Sequence, residues 1–582
     1  MMSLSQQWAM TLTQLIADFV DSGPYPEVAI KGLALDSRQV QAGDLFIAIK
    51  GTATDGVAFI PQAIERGAVA VLIEKDQLVG PLVDGAFDGS AEGSTYIAEG
   101  SFHSAEGSSH SAEGSSYTSG SSGEKVPVIG IENLSEYVSD IAGVFYGDPS
   151  SKMTVTAITG TNGKTTCTRL FAELVEYLTQ NHSKGAGSSA FVGTLGYGMV
   201  RHAGFQALHD SARKSPQQDS LSVANTGTEA GTETITDTGL TTPDAVAMQR
   251  ILAELNSKGA ANVALEVSSH SLVQRRVAGL KVDTAVFTNL SRDHLDYHGD
   301  INAYGAAKSR LFAMPGLKHA VINLDDNVGR VILANLNPDI QAISFSLEDS
   351  AADVHCSTIG LSPEGLRASV VTPWGQGEIS SPLLGKFNLA NLLAVIGAAA
   401  VQGYALTDIL AAIPRLRAVP GRMELVDANA EPAIVVDYAH TPDALEKALQ
   451  ALRVHCRGNL WAVFGCGGDR DIGKRAEMGE IAQRFADQVV VTSDNPRTES
   501  PQQIIDHILQ GISREVIVES DRRAAIRQAI LKADKNDVVL IAGKGHEDYQ
   551  ILGAQRLPFS DQAEARLALR EREQVALQGG GQ

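Results

Sequence analysis

Alternating strand-type and helix-type patterns predict an α/β chain whose parallel sheets are covered on both faces. Three observations carry that prediction. Residues 152–159 (KMTVTAIT) read as a strand, and a glycine-rich turn and a helix follow. The helix places Cys167, Leu170, Phe171, Leu174, Val175 and Leu178 on one face at i, i+3, i+4, i+7 spacing. Further buried-type strands are expected at 262–267, 284–290 and 319–324. The last third repeats the alternation: AIVVDY, a helix opened by Thr441 and Pro442, then WAVFG, VVVTSD and DVVLIAG with helical stretches between.

Length refines the domain count. At about 150 residues per domain, 582 residues suggest roughly four domains. Two segments do not read as folded, however. Residues 84–124 are almost entirely Ser, Gly, Ala and Glu, with Ala-Glu-Gly-Ser recurring every seven residues from Ala91. A heptad invites a coiled coil, but Gly and Ser at the repeated positions offer no apolar seam. Residues 203–239 are similarly polar and lack periodicity. Neither can bury enough surface to offset its ordering entropy, so both are expected to be flexible insertions. Without them 504 residues remain, close to three domains, with boundaries expected at 1–150, 151–419 and 420–582.

Composition excludes several classes. The 47 basic and 68 acidic residues give a net charge of −21, unlike a nucleic-acid or anionic-membrane binder. The two insertions hold 12 acidic and 2 basic residues, so almost half of that excess lies outside the expected domains. No apolar run approaches the roughly 18 residues a membrane span needs, and the first twenty residues lack a signal-peptide pattern. Four cysteines without a CxxC pair fit neither a disulfide framework nor a zinc ribbon. A cytoplasmic, monomeric protein is expected.

The sharpest chemical signal is Gly160-Thr161-Asn162-Gly163-Lys164-Thr165-Thr166 between a strand and a helix. Glycines let backbone N–H groups approach phosphate oxygens, and the helix N-terminus adds partial positive charge. Lys164 would reach the β- and γ-phosphates, and the Thr165 hydroxyl can ligate Mg²⁺. Ile158 stands where the first glycine of the general GxxxxGK[ST] pattern would be. The loop predicts nucleoside triphosphate binding. Glu266 ends a buried-type strand, where sheets deliver site residues, and 289–298 (NLSRDHLDYH) are dense in metal-capable groups. Lys308, on a helix face, would by spacing alone be a solvated lysine.

Three loops in the last third each follow an expected parallel strand: 465–470 (GCGGDR), 493–497 (SDNPR) and 543–547 (GKGHE). All should emerge on one sheet edge. Arg470 and Arg497 offer planar forks for carboxylates and Glu547 a charge for an ammonium, a set that suits an amino acid.

In order along the chain, GTNGKTT, VALEVSSHSLVQRRV, TNLSRDHLDYHGD, AYGAAKSRLF, GKFNLAN, PGRME, DYAHTPDAL, GGDRDIGKR, DNPR and GKGHEDYQ resemble the Mur ligases of peptidoglycan precursor synthesis. The likeness runs from about Leu33 to the end, interrupted by the two insertions, and is nearest to the members that add meso-2,6-diaminopimelate. The phosphate loop is shared across the superfamily, nearly so with folylpolyglutamate synthases; DNPR is the sharper motif. The resemblance implies three domains: an N-terminal UDP-sugar domain, a central P-loop ATPase-like parallel sheet, and a C-terminal Rossmann-like domain. It also implies ATP-dependent ligation of the amino acid to UDP-N-acetylmuramoyl-L-alanyl-D-glutamate through an acyl phosphate.

Site roles follow by the same resemblance. Lys164, His294 and Lys308 would be catalytic, and Gly160–Thr166 with Asn388, Arg422 and Asp437 would bind ATP. Thr165, Glu266, His294 and Lys308, the last as a CO₂-derived carbamate (N6-carboxylysine), would hold Mg²⁺. Ser37, Thr241, Thr242, Ser268, Gln274 and Arg276 would contact the UDP-sugar-peptide. Arg470, Asp494, Asn495, Pro496, Arg497, Gly543 and Glu547 would form the diaminopimelate pocket. Another Mur ligase, a folylpolyglutamate synthase and a catalytically dead scaffold are the alternatives; every position above carries a competent residue.

Overall fold

The computed structural model describes residues 8–20, 25–51, 54–79, 95–97, 112–118, 125–182, 188–200, 235–362, 364–427 and 430–579. Most of the two expected insertions lies outside these residues. Within the first, however, Thr95–Ile97 and Ala112–Thr118 are strands. Ala112–Thr118 pairs antiparallel with Lys125–Ile131 over seven residues, which satisfies backbone groups that the edge of the N-terminal sheet would otherwise expose. The composition argument weighed side-chain burial and overlooked this backbone term.

The N-terminal sheet carries four parallel strands, Gly32–Ala34, Asp44–Ala48, Ala70–Glu74 and Lys125–Ile131. Helix Leu134–Tyr146 packs on it through Leu134, Val138, Ile141 and Phe145, the 3.6-residue repeat of a one-sided helix.

The central sheet has ten strands. Its middle is parallel, in the order Ser188–Gly193, Ala260–Glu266, Thr154–Thr159, Thr284–Phe287, His319–Asn323, Gln341–Ser346. These strands are buried along most of their length because helices cover both faces. Helix Lys164–His182 buries the predicted Cys167 to Leu178 stripe on one side. Unlike the wholly parallel expectation, both edges are antiparallel: Gly196–Met199 at one, and the meander Val354–Ser362, Gly365–Thr372, Gly375–Ser381 at the other. From Thr154–Thr159 the chain first builds to one side and then to the other. The glycine loop after that strand therefore sits at the topological switch point, where open α/β sheets bind ligands.

The C-terminal sheet orders Glu424–Leu425, Ala433–Asp437, Val538–Ala542, Leu460–Phe464, Gln488–Val491 and Ile517–Val518. All but the first pair are parallel, so the three motif loops leave the same edge. Thr441 caps helix Pro442–Arg453 by accepting from Ala444 N, with Pro442 at the first helical position, as the sequence predicts. His455 ties this domain to the central one: Gly385 N–H donates to its Nε2 at 2.9 Å, and its Nδ1–H donates to Ser362 O at 2.5 Å. Among the described residues no helix is long and apolar enough to cross a membrane.

Candidate active site

Backbone geometry builds the phosphate loop first. Gly160 and Gly163 have φ of +150° and +86°, conformations that glycine adopts without penalty. A side chain at Gly160 would collide with Thr288 Oγ1, and one at Gly163 with Asn391 Oδ1. The loop is fastened by the end of the neighbouring strand. Thr161 N donates to Asn289 O at 2.8 Å, Asn162 N to Asn289 Oδ1 at 3.0 Å, and Thr288 Oγ1 to Asn162 O at 2.6 Å. Thr161 Oγ1 also reaches Tyr304 OH at 3.2 Å. Lys164 Nζ donates to Gly160 O and Thr161 O at 3.0 and 2.9 Å, and Thr166 continues the helix, half-buried.

Three ionisable groups gather around that loop, Glu266 and Lys308 buried and Lys164 half-buried. Glu266 accepts from Thr165 Oγ1 at 3.0 Å and from Thr194 N and Oγ1 at 2.9 and 3.1 Å. Burial pushes its carboxyl up, while Lys164, Thr194 and Thr165 oppose that rise. Burial likewise pushes Lys164 down. Lys308 is 1 % exposed and donates to Gly160 O at 2.7 Å. Burial, with the Lys164 ammonium added to it, pushes Lys308 down to about 6. The helix-face lysine is thus a neutral amine under the phosphate loop, which its spacing alone does not reveal.

His294 is exposed on the segment that follows the neighbouring strand. Its φ is +52°, its Nε2 lies 3.5 Å from Asp293, and its ring meets His270 and Tyr304. Among the described residues no three His, Cys, Asp or Glu side chains converge as a ready-made metal cage. The adjacent oxygens of Thr165 and Glu266 nevertheless fit a hard cation that keeps waters and phosphate oxygens as its other ligands.

Five of the six expected nucleotide-peptide residues form one chain of hydrogen bonds running to Glu266. Thr241 Oγ1 meets Thr194 Oγ1 at 3.1 Å, and Thr242 Oγ1 donates to Glu266 O at 2.8 Å and accepts from Ser268 N. Arg276 donates to Thr242 O at 2.7 Å and to Gln274 Oε1 at 2.9 and 2.6 Å. Ser268 caps a short helix by accepting from Ser271 N. Ser37 stands in the N-terminal domain, where its hydroxyl donates to Gln62 at 2.6 Å.

The C-terminal domain approaches from the other side. Arg422 adds its charge to that around Lys164, and its guanidinium lies 4.7 Å over the Tyr438 ring. Arg422 Nε and His546 Nδ1 are buried without a hydrogen-bond partner among the described residues, which fits a ligand carrying acceptors. Asp437 accepts from Met423 N and Ala439 N, which braces the turn that carries Arg422. Asn388 is buried behind the phosphate loop; it donates to Leu384 O and accepts from Asn391.

The three motif loops meet. Asn495 Nδ2 donates to Glu547 Oε2 at 2.8 Å, and Arg497 Nη1 donates to Gly468 O at 2.7 Å. Gly543, at φ +120°, passes so close to Asp494 that a side chain there would collide with its carboxylate. Pro496 is buried between them and Arg470 is exposed at the rim. Glu499, held down to about 2 by its hydrogen bonds from Arg475, accepts from Asp469 N and so fixes the first loop. Sequence reasoning assigned no role to Thr194, Thr288, Asn289, Asn391, Tyr438 and Lys544. All but Thr194 lie inside motifs it singled out, and all but Asn391 lie at or just beyond a strand's carboxyl end.

A glycine phosphate loop at the switch point of one sheet, together with an Arg–Asn–Glu pocket on the edge of a second, is the arrangement of a nucleotide-dependent α/β ligase. Family models match three successive stretches of the chain. Residues 29–146 match the Mur ligase family catalytic domain, 158–399 the Mur ligase middle domain, and 421–545 the Mur ligase glutamate ligase domain. The chain belongs to the Mur ligase family. It is 41 % identical to a Coxiella burnetii protein over 96 % of this chain and 99 % of that one. It is 43 % identical to an Alkalilimnicola ehrlichii protein over 97 % and 99 %. Both relatives are named UDP-N-acetylmuramoyl-L-alanyl-D-glutamate--2,6-diaminopimelate ligase. A solved structure of a ligase of that name superposes with a TM-score of 0.64 at 32 % identity, covering 97 % of this chain and 99 % of that one.

Proposed function

We propose that this chain joins meso-2,6-diaminopimelate to the D-glutamyl γ-carboxylate of UDP-N-acetylmuramoyl-L-alanyl-D-glutamate, at the expense of ATP, in peptidoglycan precursor synthesis. The observation that carries this reading is that one chain joins the Lys164 phosphate loop to a pocket in which Asn495 Nδ2 donates to Glu547 Oε2 at 2.8 Å and Arg497 Nη1 to Gly468 O at 2.7 Å. Relatives 41–43 % identical and named for this reaction support the choice of substrate.

The chemistry follows from need. A free carboxylate is a poor electrophile, so it first attacks the γ-phosphorus of ATP, giving an acyl phosphate and ADP. The amine then attacks that carbonyl and phosphate leaves. Three anionic groups must be brought together, so positioning and cations dominate catalysis. Loop N–H groups and Lys164 hold phosphate oxygens, Asn388 lies on the adenine side, and Arg422 and Asp437 close over the nucleotide. Thr165 and Glu266, joined by His294 and a carbamate of Lys308, would hold Mg²⁺, which neutralises charge on the transferred phosphoryl group. Lys308 suits carbamate formation because its nitrogen is neutral near pH 7: the lone pair adds to the CO₂ carbon and the nitrogen loses a proton. Thr241, Thr242, Ser268, Gln274 and Arg276 would place the peptide carboxylate, and Ser37 the uridine end.

Arg497 supports diaminopimelate over lysine. Diaminopimelate carries a carboxylate beside its distal ammonium, and lysine would leave the guanidinium unmatched, a difference on the order of 10⁴-fold in selectivity. We further assign three domains at 1–150, 151–419 and 420–582, a hinge near residues 419–422, a monomer, and a cytoplasmic location. The test is phosphate release by the purified chain. Release that requires ATP, the nucleotide dipeptide and diaminopimelate together is expected; release independent of the amino acid, or equal use of L-lysine at low concentration, would overturn it.

A further inference from the structure

Lys544 is fully buried, and the carboxylates nearest its charge among the described residues stand at the long end of ion-pair distance. The nearest carboxylate oxygens, Glu547 Oε2 and Asp494 Oδ1, lie at 3.5 and 3.9 Å. Its short contacts are to neutral oxygens, Asn495 Oδ1 at 2.8 Å and Tyr549 O at 2.7 Å. Burying an ammonium on such terms is unfavourable for stability alone, so its place needs another account. The chain goes out of its way to put it there: Gly543 and Gly545, both at positive φ, turn the backbone on either side and send the side chain beneath the loop.

What Lys544 touches is the amide of Asn495. Asn495 Oδ1 accepts from Lys544 Nζ and from Ile551 N at 3.0 Å, and both partners are donors. The amide oxygen must therefore face them, which leaves Nδ2 no choice but Glu547 Oε2, at 2.8 Å. Glu547 Oε2 takes that bond and a longer one from Lys544 Nζ itself at 3.5 Å, and Oε1 takes none of these donors. Reversing the amide would set its oxygen against the carboxylate and release Glu547. We propose that Lys544 is a positioning residue: it fixes the orientation of Asn495 and, through it, points one oxygen of Glu547 at the ammonium of the incoming amino acid. This rests on the reading of the pocket as the amino-acid site.

Steady-state kinetics on the full chain test it. Lys544→Met should raise KM for diaminopimelate about 10- to 100-fold, the range of one lost charge-assisted hydrogen bond. KM for ATP and for the nucleotide dipeptide should not move, and kcat should stay within about threefold. Asn495→Ala should raise the same KM, and the double variant should fall well short of the product of the two single effects, because both act on the same carboxylate. Asn495→Asp gives a second route should Lys544→Met fail to fold. The new carboxylate still accepts from Lys544 and Ile551 but cannot donate to Glu547, so KM should rise comparably. An unchanged KM in either variant, a parallel rise in KM for ATP, or multiplicative effects in the double variant would overturn the role of Lys544. Wild-type turnover of diaminopimelate is the control that separates the two failures: without it the parent reading falls, and with it only this inference does.

Discussion

Replacing Lys308 by methionine should stabilise the protein while ending its activity. The folded chain holds Lys308 as an amine with its pKa near 6, whereas the unfolded chain holds an ammonium of ordinary pKa 10.5. Giving up that proton at pH 7 costs about 5 kcal/mol at about 1.4 kcal/mol per pH unit. Methionine keeps the length and the apolar stem without that cost. The lost bond to Gly160 O takes back about 1 kcal/mol, no more, because Lys164 Nζ donates to the same carbonyl at 3.0 Å. A net gain of about 2–4 kcal/mol is expected, since relaxation of a real interior softens such shifts. The sign follows from the proton count. Between pH about 6 and 10.5 the unfolded state binds the extra proton, so the wild type catches up as pH rises. The methionine variant's advantage is therefore full at pH 6 and below, and it shrinks by about 1.4 kcal/mol per unit above that. Urea unfolding of both proteins at pH 6, 7 and 8.5, in buffer free of CO₂, measures it. A variant less stable than the wild type at pH 6, an advantage that grows with pH, or retained ligation would refute a buried neutral amine with a catalytic role.

Other expectations concern selectivity, the scaffold and the domain seam. Arg497→Met should erode the preference for diaminopimelate over L-lysine, measured as a ratio of kcat/KM values, from about 10⁴-fold to about 10²-fold or less. Arg522→Met should destabilise the C-terminal domain by about 3–5 kcal/mol in denaturant titrations, because it strands Asp561, its fully buried partner at 2.7 Å. His455→Ala leaves Gly385 N–H and Ser362 O unpaired and should cost about 1–3 kcal/mol. Burial holds His455 below its ordinary pKa, so the unfolded state binds its proton first; its support of the seam is lost as pH falls below about 6.5. Thermal melts of wild type and His455→Ala should converge toward pH 5.

Some features were legible because their chemistry is local. A phosphate loop needs its glycines, lysine and threonine contiguous, so GTNGKTT announced itself, and the one-sided helix after it followed from spacing. The parallel strands read easily as unbroken apolar runs. What holds the loop in place was not legible: Thr288, Asn289 and Asn391 come from a separate strand end and helix, and only the folded sheet brings them to Gly160 and Gly163. Lys308 shows the same limit, since a helix of nine residues with Lys at its end predicts a solvated side chain. Its burial is a property of the helix's position under the loop. The resemblance to a family supplied that position, and local physics did not. The antiparallel meander at the edge of the central sheet went unseen because half-buried hairpins carry a weaker pattern than buried parallel strands.

The account stands or falls on whether the carboxylate is activated by phosphoryl transfer, and an oxygen label reads that event directly. The nucleotide dipeptide carrying ¹⁸O in its glutamyl γ-carboxylate is turned over with ATP and diaminopimelate, and the released phosphate is weighed. Formation and aminolysis of an acyl phosphate carry one carboxylate oxygen into each phosphate released, so one ¹⁸O per phosphate, scaled by the enrichment, is the predicted result. Phosphate free of the label, with amide product still forming, would contradict it.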